Sequence, residues 1–344
     1  MKRAWLKIVS VAVVAVFLLA GCGGGQTTGD SGQPDGGSND VLTIRYGSAD
    51  ADDAAVVQGI FAFKEYVENA SNGSIKVETY TNGVLGGDRE LCEGLQLGTV
   101  DMTVVLGGIL ANYDDVFNIF SMPYLFQSKQ ASYDAMDGEL GDILAQRLED
   151  VNFKLMGWGD GGTYQVANSI RPVTTLQDIK GISLRVPEIS ADIDFFNALG
   201  ASPMPISFAE TYTSLEQGLV DGLELSVELM YCSQLMEPVK YLTLTGHSES
   251  IFPALMSMNL WNKLTEEQRE IITEGMEIQI AKNREIAYEV EIKYIEEFKK
   301  MGGSVHELTP EAREEFIKIG QQVQDKYASQ IGADLLELAN SYNK

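Results

Sequence analysis

From Thr265-Glu-Glu-Gln268 to Gly302-Gly303, apolar residues recur at helical spacing without a proline: Ile271, Ile272, Met276, Ile280, Ile286, Val290, Ile295 and Phe298. A capping box opens the run and glycines close it. A helix approaching ten turns is about 50 Å long, which exceeds one small domain. Either it bridges two lobes, or it kinks and packs on one. Ahead of it, strand patterns at 41–46, 75–80, 101–106, 153–157, 164–168, 182–186, 202–206, 241–245 and 251–259 alternate with helix patterns such as 54–70 and 88–98. That alternation indicates an α/β architecture. Asp50 to Asp53 read as N-cap material for the 54–70 helix. A last helix opens at Thr309-Pro310, with Pro in the favoured first position.

One junction occurs twice. Gly94-Leu-Gln-Leu-Gly-Thr-Val-Asp101 and Ser214-Leu-Glu-Gln-Gly-Leu-Val-Asp221 each run from helix through glycine into a strand. Two copies far apart suggest two lobes of similar construction, although such junctions also recur by coincidence.

The chain carries 25 Lys+Arg against 50 Asp+Glu, a net charge of −25 over 344 residues. Phosphate-rich partners need a basic footprint, so nucleic acid and anionic lipid surfaces are disfavoured. Any anion site must be built locally.

Lys2, Arg3 and Lys7 precede an apolar run from Ile8 to Leu19, then Leu19-Ala20-Gly21-Cys22. This is a secretory signal, too short for a membrane span. Cysteine directly after Leu-Ala-Gly resembles a bacterial lipobox, which implies residues 1–21 as signal peptide and lipidation of Cys22; the alternative is an ordinary signal with an incidental cysteine. Residues 22–40, rich in Gly, Ser, Thr and Asp, form a tether with nothing large to bury. Cys92 and Cys232 are expected as free, buried thiols, with a disulfide chemically permitted in an exported chain.

Signatures of catalysis are missing. Gly157-Trp-Gly159-Asp-Gly-Gly162 has dinucleotide-loop spacing, but the strand-like Thr163-Tyr-Gln-Val follows where a helix is needed, so it reads as a turn or hinge. Asp50, Asp52 and Asp53 lack the closing Glu of a calcium loop, since Phe61 stands there. His247 and His306 stand alone, and no G-x-S-x-G elbow exists. The expectation is no enzyme, no metal and no cofactor.

An ordered set of segments then resembles a known family. Leu85-Gly-Gly-Asp-Arg-Glu90, Leu97-Gly-Thr-Val-Asp101, Met122-Pro-Tyr-Leu-Phe126, Gly181-Ile-Ser-Leu-Arg-Val-Pro187, Gly200-Ala-Ser-Pro203, Gly218-Leu-Val-Asp-Gly222 and Lys240-Tyr-Leu-Thr-Leu-Thr-Gly-His247 are similar to the solute-binding subunits of tripartite ATP-independent periplasmic (TRAP) transporters, the DctP family. The resemblance implies a two-lobed, periplasmic-binding-protein-like α/β fold with mixed sheets and one long helix spanning both lobes. The lobes would be 41–163 plus 251–290 and 164–250 plus 291–344. It further implies a monomer that closes on a small organic acid and delivers it to the small and large membrane subunits of a permease, touching the membrane only through its lipid.

The same resemblance assigns candidate ligand contacts. Within Gly181–Pro187, Ile182, Leu184 and Val186 share one strand face, and Ser183 and Arg185 the other. Alone, Arg185 reads as a surface ion-pair residue; the resemblance makes it the carboxylate clamp, for which a guanidinium fork suits better than lysine. Phe208 would pack on the ligand body or simply in the core. Glu224 would lie near the cleft or serve interlobe structure. Tyr164 and Gln165 stand where the family commonly has a second Arg, and Leu225 where it often has Asn, which points to a monoanionic or less hydroxylated ligand rather than a doubly charged acid. Gly107, Gly108 and the Ser48–Asp50 turn complete the set on the first lobe. A ligand-sensing subunit for a signalling partner, and less so an extracytoplasmic hydrolase, remain as alternatives.

Overall fold

The structure, a computed structural model, describes residues 41–343. The signal segment, Cys22 and the whole of the tether lie outside the described residues.

Among the described residues there are nine strands: β1 (Leu42–Gly47), β2 (Ile75–Tyr80), β3 (Met102–Val104), β4 (Phe153–Asn168), β5 (Ser183–Val186), β6 (Ser202–Pro205), β7 (Gly222–Ser226), β8 (Tyr241–Ser257) and β9 (Ser304–Glu307). The helices are α1 (Ala55–Ala70), α2 (Asp88–Leu97), α3 (Lys129–Met136), α4 (Glu139–Asp150), α5 (Leu176–Ile179) and α6 (Ser190–Leu199), then α7 (Thr211–Glu216), α8 (Val227–Cys232), α9 (Met258–Trp261), α10 (Glu266–Lys300), α11 (Pro310–Ile331) and α12 (Ala333–Ser341). Short 3-10 turns cover Gly107–Asn112, Asp115–Ser121 and Phe208–Glu210.

The strands form one mixed sheet in the order β2-β1-β3-β8-β4-β7-β5-β6, with β9 beside β8. Parallel strands β1, β2 and β3 lie at one end, and β5, β6 and β7 at the other. The antiparallel pair β4 and β8 runs through both halves. Two segments expected as separate strands, 153–157 and 164–168, are thus one continuous strand, and so are 241–245 and 251–259, except that the second strand ends at Ser257 and residues 258–259 begin a short helix. The glycine-rich stretch between the first two is no turn. It stays paired, with register shifts between Leu155/Gly157 and Asp160/Thr163. Glycine is required there because neighbours approach closely: a Cβ at Gly159 would lie 2.8 Å from the Phe252 carbonyl oxygen, and one at Gly161 would lie 2.3 Å from the Phe252 ring.

The long helix forms as expected. Its 35 residues span about 52 Å at 1.5 Å per residue. Thr265 Oγ1 accepts the Gln268 N–H at 3.2 Å while Gln268 Oε1 accepts the Thr265 N–H at 3.0 Å, the reciprocal cap. Its first half packs on α1, where Gly275 leaves room for Val67 and Phe63. Its second half meets α8, with Tyr231 and Tyr294 stacked at 4.1 Å. One helix therefore braces both halves of the sheet.

Two apolar cores result, and they divide by sheet face rather than by lobe. Leu255 joins one cluster while its neighbours Ala254 and Met256 join the other, the alternation a strand dictates. Cys92 and Cys232 lie one in each cluster, both buried free thiols as expected.

The start of α1 departs from expectation. Its N-cap position is Ala54, which offers no side-chain acceptor. Asp52 instead accepts from the Thr81 hydroxyl at 2.5 Å and Asn82 Nδ2 at 2.9 Å. Asp50 is buried, bonded to the Ser48 hydroxyl at 3.0 Å. The acids that looked like caps are committed to neighbouring turns.

Candidate functional site

Segments leaving the C-terminal ends of β1, β3, β5 and β6 converge. Asp50, Leu106, Pro187 and Phe208 line one cavity of about 490 Å³, counting its open mouth. Crevices beyond the carboxyl ends of parallel strands are where open α/β sheets bind ligands. The long and central strands add Tyr164, Leu225 and Phe252 to the walls.

Arg185, third residue of β5, is the deepest cation in this cavity, only 3% exposed. Its Nε donates to the Ile206 carbonyl at 2.9 Å, and its Cζ lies 5.9 Å from the centre of the Phe208 ring. Those contacts hold the stem and orient the guanidinium. Among the described residues the two terminal nitrogens find no hydrogen-bond partner, and no carboxylate pairs with the group. Burial lowers its pKa, while Tyr164, Glu224, Asp88 and Asp192 pull the other way. The guanidinium is thus set deep with its fork open to the cavity, where it matches a carboxylate in shape and charge.

Acidic groups share the cavity. Asp50, after β1, is pushed up to about 7 by burial, opposed by its Ser48 hydrogen bond. Asp88, first residue of α2, is likewise pushed up to about 7, by burial and then by Asp50. Beside them, Glu224 Oε2 lies 2.7 Å from His247 Nε2, and His247 Nδ1 lies 2.8 Å from Thr245 Oγ1. The imidazole is sandwiched among Phe195, Phe196 and Tyr164. Burial raises Glu224 to about 8 and lowers His247 to about 3, so both directions favour a neutral, hydrogen-bonded pair. Glu224 Oε1 is buried without a partner.

Of the ten expected contacts, Asp50, Tyr164, Arg185, Phe208 and Leu225 line this one cavity. Ser48 supports Asp50 from behind. Gln165 turns away: its Oε1 accepts the Gly246 N–H at 2.8 Å, tying β4 to β8. Glu224 faces His247 instead of the cavity wall. Gly107 and Gly108 serve close packing, since a Cβ would lie 2.9 Å from the Phe120 ring and 2.3 Å from the Ser121 hydroxyl respectively.

The family described as bacterial extracellular solute-binding protein, family 7, or DctP, matches residues 46–330. This chain belongs to the DctP family. A solute-binding protein of Verminephrobacter eiseniae is 30% identical over 301 residues, covering 87% of this chain and 89% of its own. The C4-dicarboxylate-binding periplasmic protein DctP of Rhodobacter capsulatus is 29% identical over 300 residues, covering 86% and 89%. The crystal structure of a sugar acid binding protein from Advenella mimigardefordensis, in complex with galactonate, superposes with a TM-score of 0.85 at 28% identity, covering 87% of this chain and 98% of that one. The two-lobed α/β fold of the TRAP solute-binding proteins is therefore the fold of this DctP-family chain, and its function is extracytoplasmic solute binding.

Sequence reasoning missed several walls of the DctP-family cavity. Ile109, Leu229 and Phe252 are ordinary apolar residues in sequence, with no local signal. Asp88 had one: a carboxylate following Gly86-Gly87 at a helix start, which reads equally as a helix opener. The His247–Glu224 contact joins residues 23 apart on different strands and has no sequence signature.

Proposed function

We propose that this chain is the receptor of a TRAP transporter that captures a small organic acid between its lobes and hands it to the permease subunits. Arg185 carries the reading: a 3%-exposed guanidinium with a free fork, opening on the cavity between the two halves of the sheet. The acid's carboxylate takes the fork in a bidentate pair, Phe208 covers the ligand body, and Tyr164 and Leu225 shape the rest. Residues 41–163 plus 251–290 form one lobe and 164–250 plus 291–344 the other. Closure pivots on β4 and β8 near Asp160–Thr163, where the pairing shifts register. The ligand favours the closed form because only there do both lobes contact it. A lipid on Cys22 holds the receptor at the outer face of the cell membrane, with residues 22–40 as tether.

Native mass spectrometry of the purified protein tests the reading. The expected result is a bound small acid whose occupancy collapses in Arg185→Ala. A bound acid retained by that variant at wild-type occupancy would overturn it.

A further inference from the structure

Resting on the reading above, we infer that Phe208 is a partition that limits the length of acid the receptor accepts, by closing the Arg185 cavity off from a second, uncharged chamber behind the ring.

A second chamber of about 600 Å³, counting its open mouth, adjoins the first. Among the described residues, Phe208 alone lines both. The two also meet at one turn, where Asp50 faces the inner cavity and its neighbours Ala49 and Ala51 face the outer chamber. The wall between them is therefore a ring and a turn, brought from opposite halves of the sheet. Backbone on the two sides comes close: a Cβ on Gly83 would lie 3.6 Å from Ala209 Cβ and 3.9 Å from the Ala49 carbonyl oxygen. Hydrogen bonds hold each side. The Asn82 N–H donates to the Asp50 carbonyl at 2.8 Å, and the Gly83 N–H to the Ser48 carbonyl at 3.2 Å. Opposite them, the Ser207 carbonyl accepts the Glu210 N–H at 3.2 Å and the Thr211 hydroxyl at 3.1 Å. With both turns held, the half-buried Phe208 ring is the removable part of the wall.

The chambers differ in chemistry. Arg185, Asp50 and Asp88 line the inner one. No charged side chain lines the outer one among the described residues; its polar groups are Asn82, Tyr212, Ser233 and Gln234. Ser233 Oγ is buried without a hydrogen-bond partner. A carboxylate is thus gripped in the inner cavity, while a neutral tail that passed the ring would find donors and acceptors outside it. In the native protein the ring fills that passage. An acid longer than the inner cavity must displace it, at the kind of steric cost that overpacking carries. The ring also sits 5.9 Å from Arg185 Cζ, so its loss loosens the clamp for every acid alike. An effect that depends on ligand length is what separates a partition from a ring that only packs on the ligand.

Calorimetry with straight-chain aldonates of four to eight carbons, and with succinate as a short reference acid, tests the partition. In the wild type, affinity should peak at one aldonate length and fall at least about tenfold two carbons beyond it. Phe208→Ala should shrink that fall to about threefold or less. Phe208→Leu, which keeps most of the bulk, should retain the wild-type length profile. Adding Tyr212→Phe to Phe208→Ala should weaken the longest aldonates and leave the shortest unchanged. Should Phe208→Ala fail to fold by circular dichroism, or bind no acid, Phe208→Val carries the same expectation. A wild type with no fall, a fall unmoved by the small variants, or no aldonate binding at all overturns the inference. In each of those cases, acid binding that is lost in Arg185→Ala leaves the receptor reading standing. If neither an aldonate nor succinate binds the wild type, both fall together.

Discussion

Glu228 Oε1 accepts the backbone N–H of Ala55 at 2.7 Å, so a carboxylate on α8 caps the start of α1, 173 residues away. The helix has no cap of its own, because Ala54 offers no side-chain oxygen. Glu228 is 5% exposed, and burial, offset by this hydrogen bond, pushes its pKa up to about 7. The contact joins an element following β7 to one following β1, across the two halves of the sheet. Glu228→Ala should therefore lower stability by about 1–2 kcal/mol in urea unfolding, with Glu228→Gln losing less because it keeps an acceptor. Equal stability of Glu228→Ala and wild type would show that the cap is replaced by water.

Buried acids set the pH dependence of stability. Asp50, Asp88, Glu228 and Glu249 are pushed up to about 7 and Glu224 to about 8, each chiefly by burial. Unfolded carboxyls titrate near 4, so between about pH 4 and 7 the native state holds protons that the unfolded chain releases. Stability consequently falls as pH rises through that window. His247, pushed down to about 3, works oppositely below pH 6.5, as one group against these five. Calorimetric scans of ligand-free protein should give a higher Tm at pH 5.5 than at pH 8. A Tm that rises over that range contradicts the assignment.

The glycine bulge of β4 predicts a backbone effect. Gly162 has φ +85°, and a Cβ there would lie 2.6 Å from Ser226 Cβ. Gly162→Ala combines left-handed strain with a clash against a central strand, for a loss of about 2–4 kcal/mol measured by denaturant midpoint. A variant within 0.5 kcal/mol of wild type, roughly the size of an inconsequential surface change, would mean that the bulge relaxes freely.

The thiols should be inert. Cys92 is 0% exposed and Cys232 7%, and burial raises both pKa values. Only the thiolate reacts quickly, so alkylation of native protein should leave both residues unmodified, with both labelled after unfolding in urea. Rapid native labelling at Cys92 would contradict the core described above.

The parts legible in the sequence are those with local causes. The Thr265–Gln268 box and the Gly302-Gly303 stop set α10 to within a residue or two, because caps act within one turn. Arg185 stood out through its place on a short strand in a family-like segment. What stayed hidden depends on distant partners. The continuity of β4 and β8 follows from their mutual pairing, and glycines that read as a turn are there to admit Phe252. Asp50 looked like a helix cap, yet the cap comes from Glu228. Asp88 looked like a helix opener, yet it lines the cavity that Arg185 enters from the opposite half of the sheet.

The central claim is that Arg185 holds a carboxylate with both arms of its fork. Calorimetric titration of Arg185→Lys against wild type, using whichever acid native mass spectrometry identifies, tests it most directly. Lysine keeps the charge and loses the planar fork, so affinity should fall by at least about 1.5–3 kcal/mol. Undiminished affinity in Arg185→Lys would contradict the account.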